Sequence, residues 1–543
     1  MKLLVIVLAF IGIERIQAQS VISFDSTQKF QTIDGWEAVS NEMEPETLRD
    51  TLMPHLDSLI HCAIHEAGIT RLRYSLKSGC ENPTDYFGKM LNEGYLYDSF
   101  KTVRYSKIND NNDPFTSDPK GFQTTGMDHN VRHVMKPFRD ELRRLGDSFY
   151  LNLCFVDFVN QSAFHHTQNP EEYAEFIQFY TEYLDTQHHF VPHGIEIILE
   201  PDNADVWNQK HVAKAIEATG NRLENRYPNI EIIAPSVMSM GSAAIYLAEI
   251  EKNPKALAYM DVLSYHRYSG SGDSNKHALI RNWAALHHKK LGMLEYDKNG
   301  DVEELHYDLK YNNNTAWTKY ALFYKTNEKF AYVYVDRNDP SNPKYDLCDQ
   351  TKFLQHYFKN IRPGATRIAS FTNTVKADPI AFINKNGALT FVVKTNAKDT
   401  LRFEGLPPGE YKVSYSTGNY HWAQAPKVYN KQSTQTLLSS QALNVYVPDR
   451  AVVSVVQVID EVSKGSQYQT PQLAFYPNPV APGAPFTIES SSKIVAATWY
   501  DALGRRLEDE HILGFLRAPN KPGIYFVWVE TLAGAKGFKV CVE

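Results

Sequence analysis

The sequence predicts a (β/α)8 TIM barrel followed by two all-β units, a flanking β-sandwich and a small C-terminal domain. Three observations predict it. From about Thr32 to Pro363, short β-branched or apolar runs alternate with amphipathic helical stretches. After Arg362-Pro363-Gly364 the helical patterns stop and strand-turn-strand patterns take over. A polar stretch from Asp460 to Thr470 then separates a last group of short strands. A chain of 543 residues exceeds what one hydrophobic core accommodates, so several domains are expected. An open doubly wound sheet would want a Gly-rich phosphate turn after an early strand, and the sequence has none.

In chain order, residues 1–18 have the layout of a cleavable signal peptide: Lys2, an apolar run from Leu3 to Ile13, and a polar stretch ending at Ala18. The barrel is expected over residues 31–363, with strands at Ile33 to Val39, Ile69 to Leu76, Phe149 to Phe158, Ile195 to Glu200, Ile230 to Val237, Asp261 to His266, Leu291 to Glu295 and Phe330 to Asp336. Pro170 to Asp185, His211 to Arg226 and Asn275 to Lys290 carry apolar residues at helical spacing between them. The sandwich takes residues 20–30 and 365–459, with alternating runs such as Leu389 to Lys394, Gly409 to Ser416 and Leu443 to Val447. Residues 460–471 read as a linker, and 472–543 form a unit too small for an active cleft.

The net charge of -7 provides no basic field, which argues against nucleic acid or an anionic membrane as partner. No apolar run after the leader approaches the ~20 residues that span a bilayer. Cys62, Cys80, Cys154, Cys348 and Cys541 contain no C-x-x-C pair, so a zinc site is not expected; export would permit one disulfide, but free thiols fit equally well. The pairs His165-His166, His188-His189 and His287-His288 point apart on any regular element and read as solvated surface. No metal or cofactor is expected.

In a (β/α)8 barrel the reactive groups lie at the C-terminal ends of strands. Two strands end in carboxylates after apolar runs: GIEIILEPDN ends at Glu200 before Pro201, and KLGMLEYD ends at Glu295. Two carboxylates across one mouth are the equipment for glycosidic cleavage, one protonating the leaving oxygen and the other handling the oxocarbenium-like centre. Glu200 is then the proton donor and Glu295 the carboxylate that stays ionised, attacking directly if the two stand about 5 Å apart or through a water if nearer ~9 Å, a gap the sequence does not measure. Arg73, at the end of the second strand, is the candidate cation that keeps Glu295 ionised. Trp36, Trp207, Tyr268 and Tyr296 are candidates to stack on sugar faces. Glu37, Asp202 and Asp297 are the rival acids.

These residues resemble clan A glycoside hydrolases, in particular the family 30 and family 39 type. FQTIDGWEA (Phe30 to Ala38) is similar to the family 30 first strand, and FLQHYFKNIRPGATRIASF (Phe353 to Phe371) to its crossover into the sandwich. The resemblance implies retention, with acid/base at Glu200 and nucleophile at Glu295. It also implies a His or Tyr at the end of strand six, matched by His266 and Tyr268, and an arginine beside the nucleophile, matched by Arg73. The chain departs from the clan in having Leu199 where an Asn that binds the sugar 2-hydroxyl precedes the acid/base, so either Asn203 substitutes for it or recognition of that hydroxyl differs. It departs again at strand eight, where Tyr332 and Tyr334 stand for the clan's Trp. YPNPV (Tyr476 to Val480), DALGR (Asp501 to Arg505) and PGIYFV (Pro522 to Val527) resemble the type A sorting domain of the type IX secretion system. The expected partners are thus an oligo- or polysaccharide or glycoconjugate substrate and, through the C-terminal domain, the secretion machinery. A silent carbohydrate-binding or adhesion protein on the same barrel is the second reading, favoured by Leu199 and the missing Trp.

Overall fold

The computed structural model describes residues 19–41, 44–339, 342–420, 424–438, 441–459, 473–490, 494–502, 507, 516–531 and 534–543. The expected signal peptide and linker lie outside them, as does part of DALGR.

Strand β1 (Ser20–Thr32) belongs to the second sheet. The chain then builds a ring from β2 (Gly35–Val39), β3 (Arg71–Lys77), β4 (Tyr150–Val156), β5 (Gly194–Glu196), β6 (Glu231–Ser239), β7 (Met260–Ser269), β8 (Lys290–Glu295) and β9 (Ala316–Tyr324). Each strand pairs parallel with the next, and β9 pairs with both β8 and β2, which closes the barrel. At its start Gly35 has φ 138, and a Cβ there would lie 2.5 Å from Thr70 Oγ1, so only glycine fits.

The eighth barrel strand is a correction. The run Phe330 to Asp336 forms β10 (Ala331–Asp336), which with β11 (Lys344–Leu347) extends the sheet outward from β9. The strand that closes the ring, AWTKYALFY, is broken as an apolar run by Lys319 and Tyr320. Lys319 is nevertheless fully buried, its ammonium bonded to the Gln350 amide oxygen, and burial draws its pKa down to about 7. A tryptophan does stand on strand eight: Trp317 sits near its start and donates to Asp308 Oδ2 at 3.1 Å, while Tyr332 and Tyr334 lie outside the ring.

Local chemistry explains the covering helices. In Pro170–His188, the Asn169 side chain caps Glu171 N, proline occupies the first turn with Glu171 and Glu172, and His189 ends the helix at φ 54. Its buried face, including Tyr173, Phe176, Ile177, Tyr180 and Leu184, joins the large core between barrel and helices. Each such side chain contributes roughly 1.5–3 kcal/mol by leaving water.

The second sheet adds β12 (Thr366–Thr372), β13 (Ala377–Ile383), β14 (Leu389–Thr395), β15 (Asp399–Phe403), β16 (Gly409–Thr417), β17 (Val428–Leu437), β18 (Leu443–Val447) and β19 (Ala451–Gln457). With β1 they form one nine-stranded sheet ordered β17-β16-β19-β14-β13-β12-β1-β15-β18. Residues from both ends of that order, Tyr411 and Val413 on one side and Leu401, Val445 and Val447 on the other, share a single apolar core, so the sheet folds over on itself. The helix Thr351–Phe358 ties it to the barrel, with His356 bonded to Ser454 and Ser416.

Residues 459–543 form a separate compact unit. It has two three-stranded sheets and a core of Val480, Ala497, Val527, Val529, Val540 and Val542. Within YPNPV, the Asn478 side chain donates to Lys539 O and accepts from Cys541 N, both at 2.9 Å, which pins the motif to the last strand. Cys62, Cys80, Cys154, Cys348 and Cys541 are free thiols.

Candidate active site

The barrel interior is polar. On β3, side chains alternate between the interior and the helix layer, so Arg71 and Arg73 both point inward. Arg71 pairs with Glu37 at 3.0 Å, and Asn152 bridges Glu37 and Glu196 at 3.3 and 2.8 Å. All five groups are buried, and they stack toward the mouth, where Arg73 is the last cation. Glu37, a rival acid by sequence, is thereby committed to Arg71 deep in the barrel. Asp202 is committed too, accepting from Met238 N and Ser239 N at 2.7 and 3.0 Å. Asp297 lies past the strand end, its backbone N–H directed at Tyr268 Oη, 3.4 Å away.

Glu295 ends β8. Arg73 contacts its Oε2 and also donates to Leu294 O at 2.9 Å, while Tyr268 Oη donates to Oε1 at 2.9 Å. Burial works against the Arg73 charge, but the carboxylates of Glu295 and Glu196 hold its pKa well above the usual value. Burial and the Glu295 charge push the Tyr268 phenol far up, so it remains a donor. Glu295 therefore faces one permanent cation and one permanent donor.

Glu200 is positioned differently. The ladder of β5 ends at Glu196, and single bonds carry the chain on: Ile197 N to Ile233 O at 3.0 Å, Leu199 N to Phe155 O at 2.9 Å, Glu200 N to Ser236 O at 3.0 Å. Glu200 itself sits at φ 49, a conformation costing a non-glycine residue roughly 1 kcal/mol or more and held here by that last bond and by Asn203 N to Glu200 O. Asn203 Nδ2 donates to Glu200 Oε2 at 3.0 Å, and His266 Nδ1 lies 2.9 Å from Oε1. Burial disfavours an imidazolium at His266, but the bond to Glu200 and the charges of Glu295 and Glu200 outweigh it and raise its pKa. His266 is thus a partner able to carry a positive charge beside the Glu200 carboxyl.

The two carboxylates meet. Glu200, His266 and Glu295 each place one donor atom within 4.8 Å of the other two. Both glutamates are buried but keep side-chain exposures of 8% and 9%. This trio has cation-ligand geometry, yet Arg73, Tyr268, Asn203 and His266 already engage all four carboxylate oxygens.

The aromatic candidates divide. Tyr268 is 36% exposed beside Glu295, and Tyr296 stands edge-on to it at 5.8 Å. Trp36 is not at the mouth: it is fully buried, stacked on Phe358 at 4.7 Å with its indole donating to Ile361 O. Trp207 is buried against Phe155 and Tyr173, its Nε1 donating to Asp157 Oδ2 at 3.1 Å. Asp157 was missed by sequence reasoning. It also accepts from Ser78 Oγ and Lys107 Nζ at 2.6 and 2.7 Å, joining the segment after β3 to the loop after β5. The signal was present, since Asp157 is the one charged residue in the run Phe149 to Phe158. Leu199, in place of an Asn, packs with Tyr105, Cys154 and Val156. His166, expected on the surface, is buried and bonded to Glu81 at 2.6 Å.

No family model and no curated protein matches the chain. Solved structures do match its fold. The catalytic domain of the GH30 xylanase C from Talaromyces cellulolyticus is similar over 81% of this chain and 100% of its own, with TM-score 0.56 and 14% identity. An endo-β-1,6-glucanase is similar over 81% of this chain and 95% of its own, with TM-score 0.56 and 13% identity. A GH51 α-L-arabinofuranosidase from Thermotoga petrophila is similar over 81% of this chain and 100% of its own, with TM-score 0.51 and 10% identity. The fold is therefore that of TIM-barrel glycoside hydrolases with an attached β domain.

Proposed function

We propose that the chain is a retaining β-glycoside hydrolase acting on a glycan or glycoconjugate. The observation that carries the reading is the convergence of Glu200 and Glu295, one carboxylate oxygen of each lying within 4.8 Å of the other. Retaining enzymes hold their carboxyl groups about 5–5.5 Å apart, whereas inverting ones need roughly 6.5–9.5 Å to admit a water. Glu295, paired with Arg73, attacks the anomeric carbon while Glu200 passes its proton to the glycosidic oxygen, and the aglycone leaves. Glu200, now a base, takes a proton from water, whose oxygen displaces Glu295 from the anomeric carbon. Tyr268, exposed beside Glu295, borders the sugar with the buried Tyr296 edge-on behind it, and Asn203 holds Glu200 rather than standing free for a sugar hydroxyl. The β-glycans named for the similar xylanase and glucanase are the first substrates to try.

Glu295→Gln tests the reading: it should abolish turnover of an aryl β-glycoside with the fold intact, and undiminished turnover would refute it. A carbohydrate-binding protein without catalysis is the second reading, favoured by Leu199 in its apolar cluster. Binding of a glycan with no release of reducing sugar by the wild-type chain would select it.

The same proposal places the protein outside the cytoplasm, with residues 1–18 as leader and 472–543 as a type IX sorting domain. A similar structure is described as a conserved exported protein from Bacteroides fragilis, and among the described residues no helix is long and apolar enough to cross a membrane. Mass spectrometry of the secreted form should find a chain starting near Gln19 and lacking the C-terminal unit.

A further inference from the structure

Away from the mouth, oxygen donors converge between the segment after β3 and the helix Pro170–His188. Asp110, Glu172 and Glu175 each offer a carboxylate oxygen, all within 4.8 Å of one another. Glu172 and Glu175, three residues apart, share one face of the helix, and Asp110 reaches them from the facing loop. Glu175 is only 2% exposed, and its Oε1 has no hydrogen-bond partner. The buried Oδ1 atoms of Asp110 and Asn109 also lack partners, and the Asn109 side chain lies against Glu172. Among the described residues no Lys, Arg or His pairs with these carboxylates; the nearby Lys107 is engaged by Asp157. Three acids and an amide oxygen buried together without a cation repel one another and forfeit their hydration.

We propose that Asp110, Glu172, Glu175 and the Asn109 carbonyl form a Ca2+ site that fastens the segment after β3 to this helix. The donors are all hard oxygens, which select Ca2+ or Mg2+ over thiophilic and imidazole-loving metals. The three carboxylate oxygens lie within 4.8 Å of one another, inside the span of ligands on one ion, and a cage built from protein oxygens suits Ca2+ better than Mg2+, which keeps several waters. Burial, together with Asp110, Glu172 and Glu81, raises the Glu175 carboxyl to about 7, so Ca2+ competes there with protons and should bind more tightly as pH rises. The site lies three residues beyond Lys107, so fastening Asp110 also holds the Lys107–Asp157–Trp207 chain of contacts beside the acid/base loop.

The test uses the full chain, treated with chelator and titrated with Ca2+ by calorimetry and thermal unfolding. Expected are one Ca2+ per chain, affinity falling from pH 8 to pH 6, and a rise in Tm of roughly 3–5 °C at a hundredfold excess over Kd. Glu175→Gln and Asp110→Asn should each lose the Ca2+-dependent rise. Absence of binding by the wild-type chain overturns the proposal, as does a rise that survives in both variants. An equal rise with Mg2+ overturns the choice of ion. A wild-type chain stabilised by acid but indifferent to Ca2+ would show carboxyls sharing a proton instead, and would also overturn the site.

Discussion

The two sides of the barrel mouth hold their carboxylates by opposite means. Glu295 is gripped by Arg73 and Tyr268, neither of which changes charge near neutral pH. Glu200 is gripped by His266, whose pKa is raised but remains that of an imidazole, and by the neutral Asn203. The difference teaches that a nucleophile needs a partner that never lets go of its charge, whereas an acid/base needs one with which a proton can be exchanged.

The largest expected effect breaks the Glu295 side. Glu295→Gln should lower kcat/KM by about 10⁴-fold or more, measured on an aryl β-glycoside, because no other group can form the covalent intermediate. Glu200→Gln should cost about 10²–10⁴-fold on an unactivated glycan but far less in glycosylation by a substrate with an acidic phenol leaving group. Equal losses on both substrates would remove Glu200 from the acid role. Arg73→Met strands Glu295 and Glu196 in the interior; denaturant unfolding should show a loss of about 3–5 kcal/mol in stability.

Smaller effects sharpen the comparison. His266 has its folded pKa above the ordinary 6.5, so its contribution to stability is complete below 6.5 and is lost as pH rises through the raised value. His266→Gln should therefore flatten the stability-against-pH curve on that alkaline side and move the basic limb of the kcat/KM profile, while removing the Arg73 charge, which holds the His266 pKa down, should shift that limb to higher pH. Asn203→Ala, which removes a neutral donor from Glu200, should cost only about 1 kcal/mol, or five- to tenfold in kcat/KM.

How far the sequence could be read is clear from particular residues. Seven of the eight barrel strands coincide with largely apolar runs, because the face each strand turns to the helix layer must be apolar even where the inner face carries paired polar groups. The eighth failed for the complementary reason: Lys319 looks solvated in AWTKYALFY, and only Gln350, from a later helix, makes its burial tolerable. Trp36 misled similarly, since a tryptophan near a strand end is equally suited to stack on a sugar or on Phe358. Asn203 was expected to reach a substrate hydroxyl; three residues after Glu200, it turns back onto that carboxylate.

The sequence by itself determined the alternation of strands and helices, the change to all-β structure after Pro363, and the two strands that end in glutamate, because hydrophobic periodicity and turn chemistry act over a few residues. Tertiary structure alone decided that His266 meets Glu200 and that Glu37 is spent on Arg71, and it gave Arg73, a candidate by sequence, its contact with Glu295. Those pairings join strands tens to hundreds of residues apart, and the strength of each depends on how much water the closed barrel excludes around it.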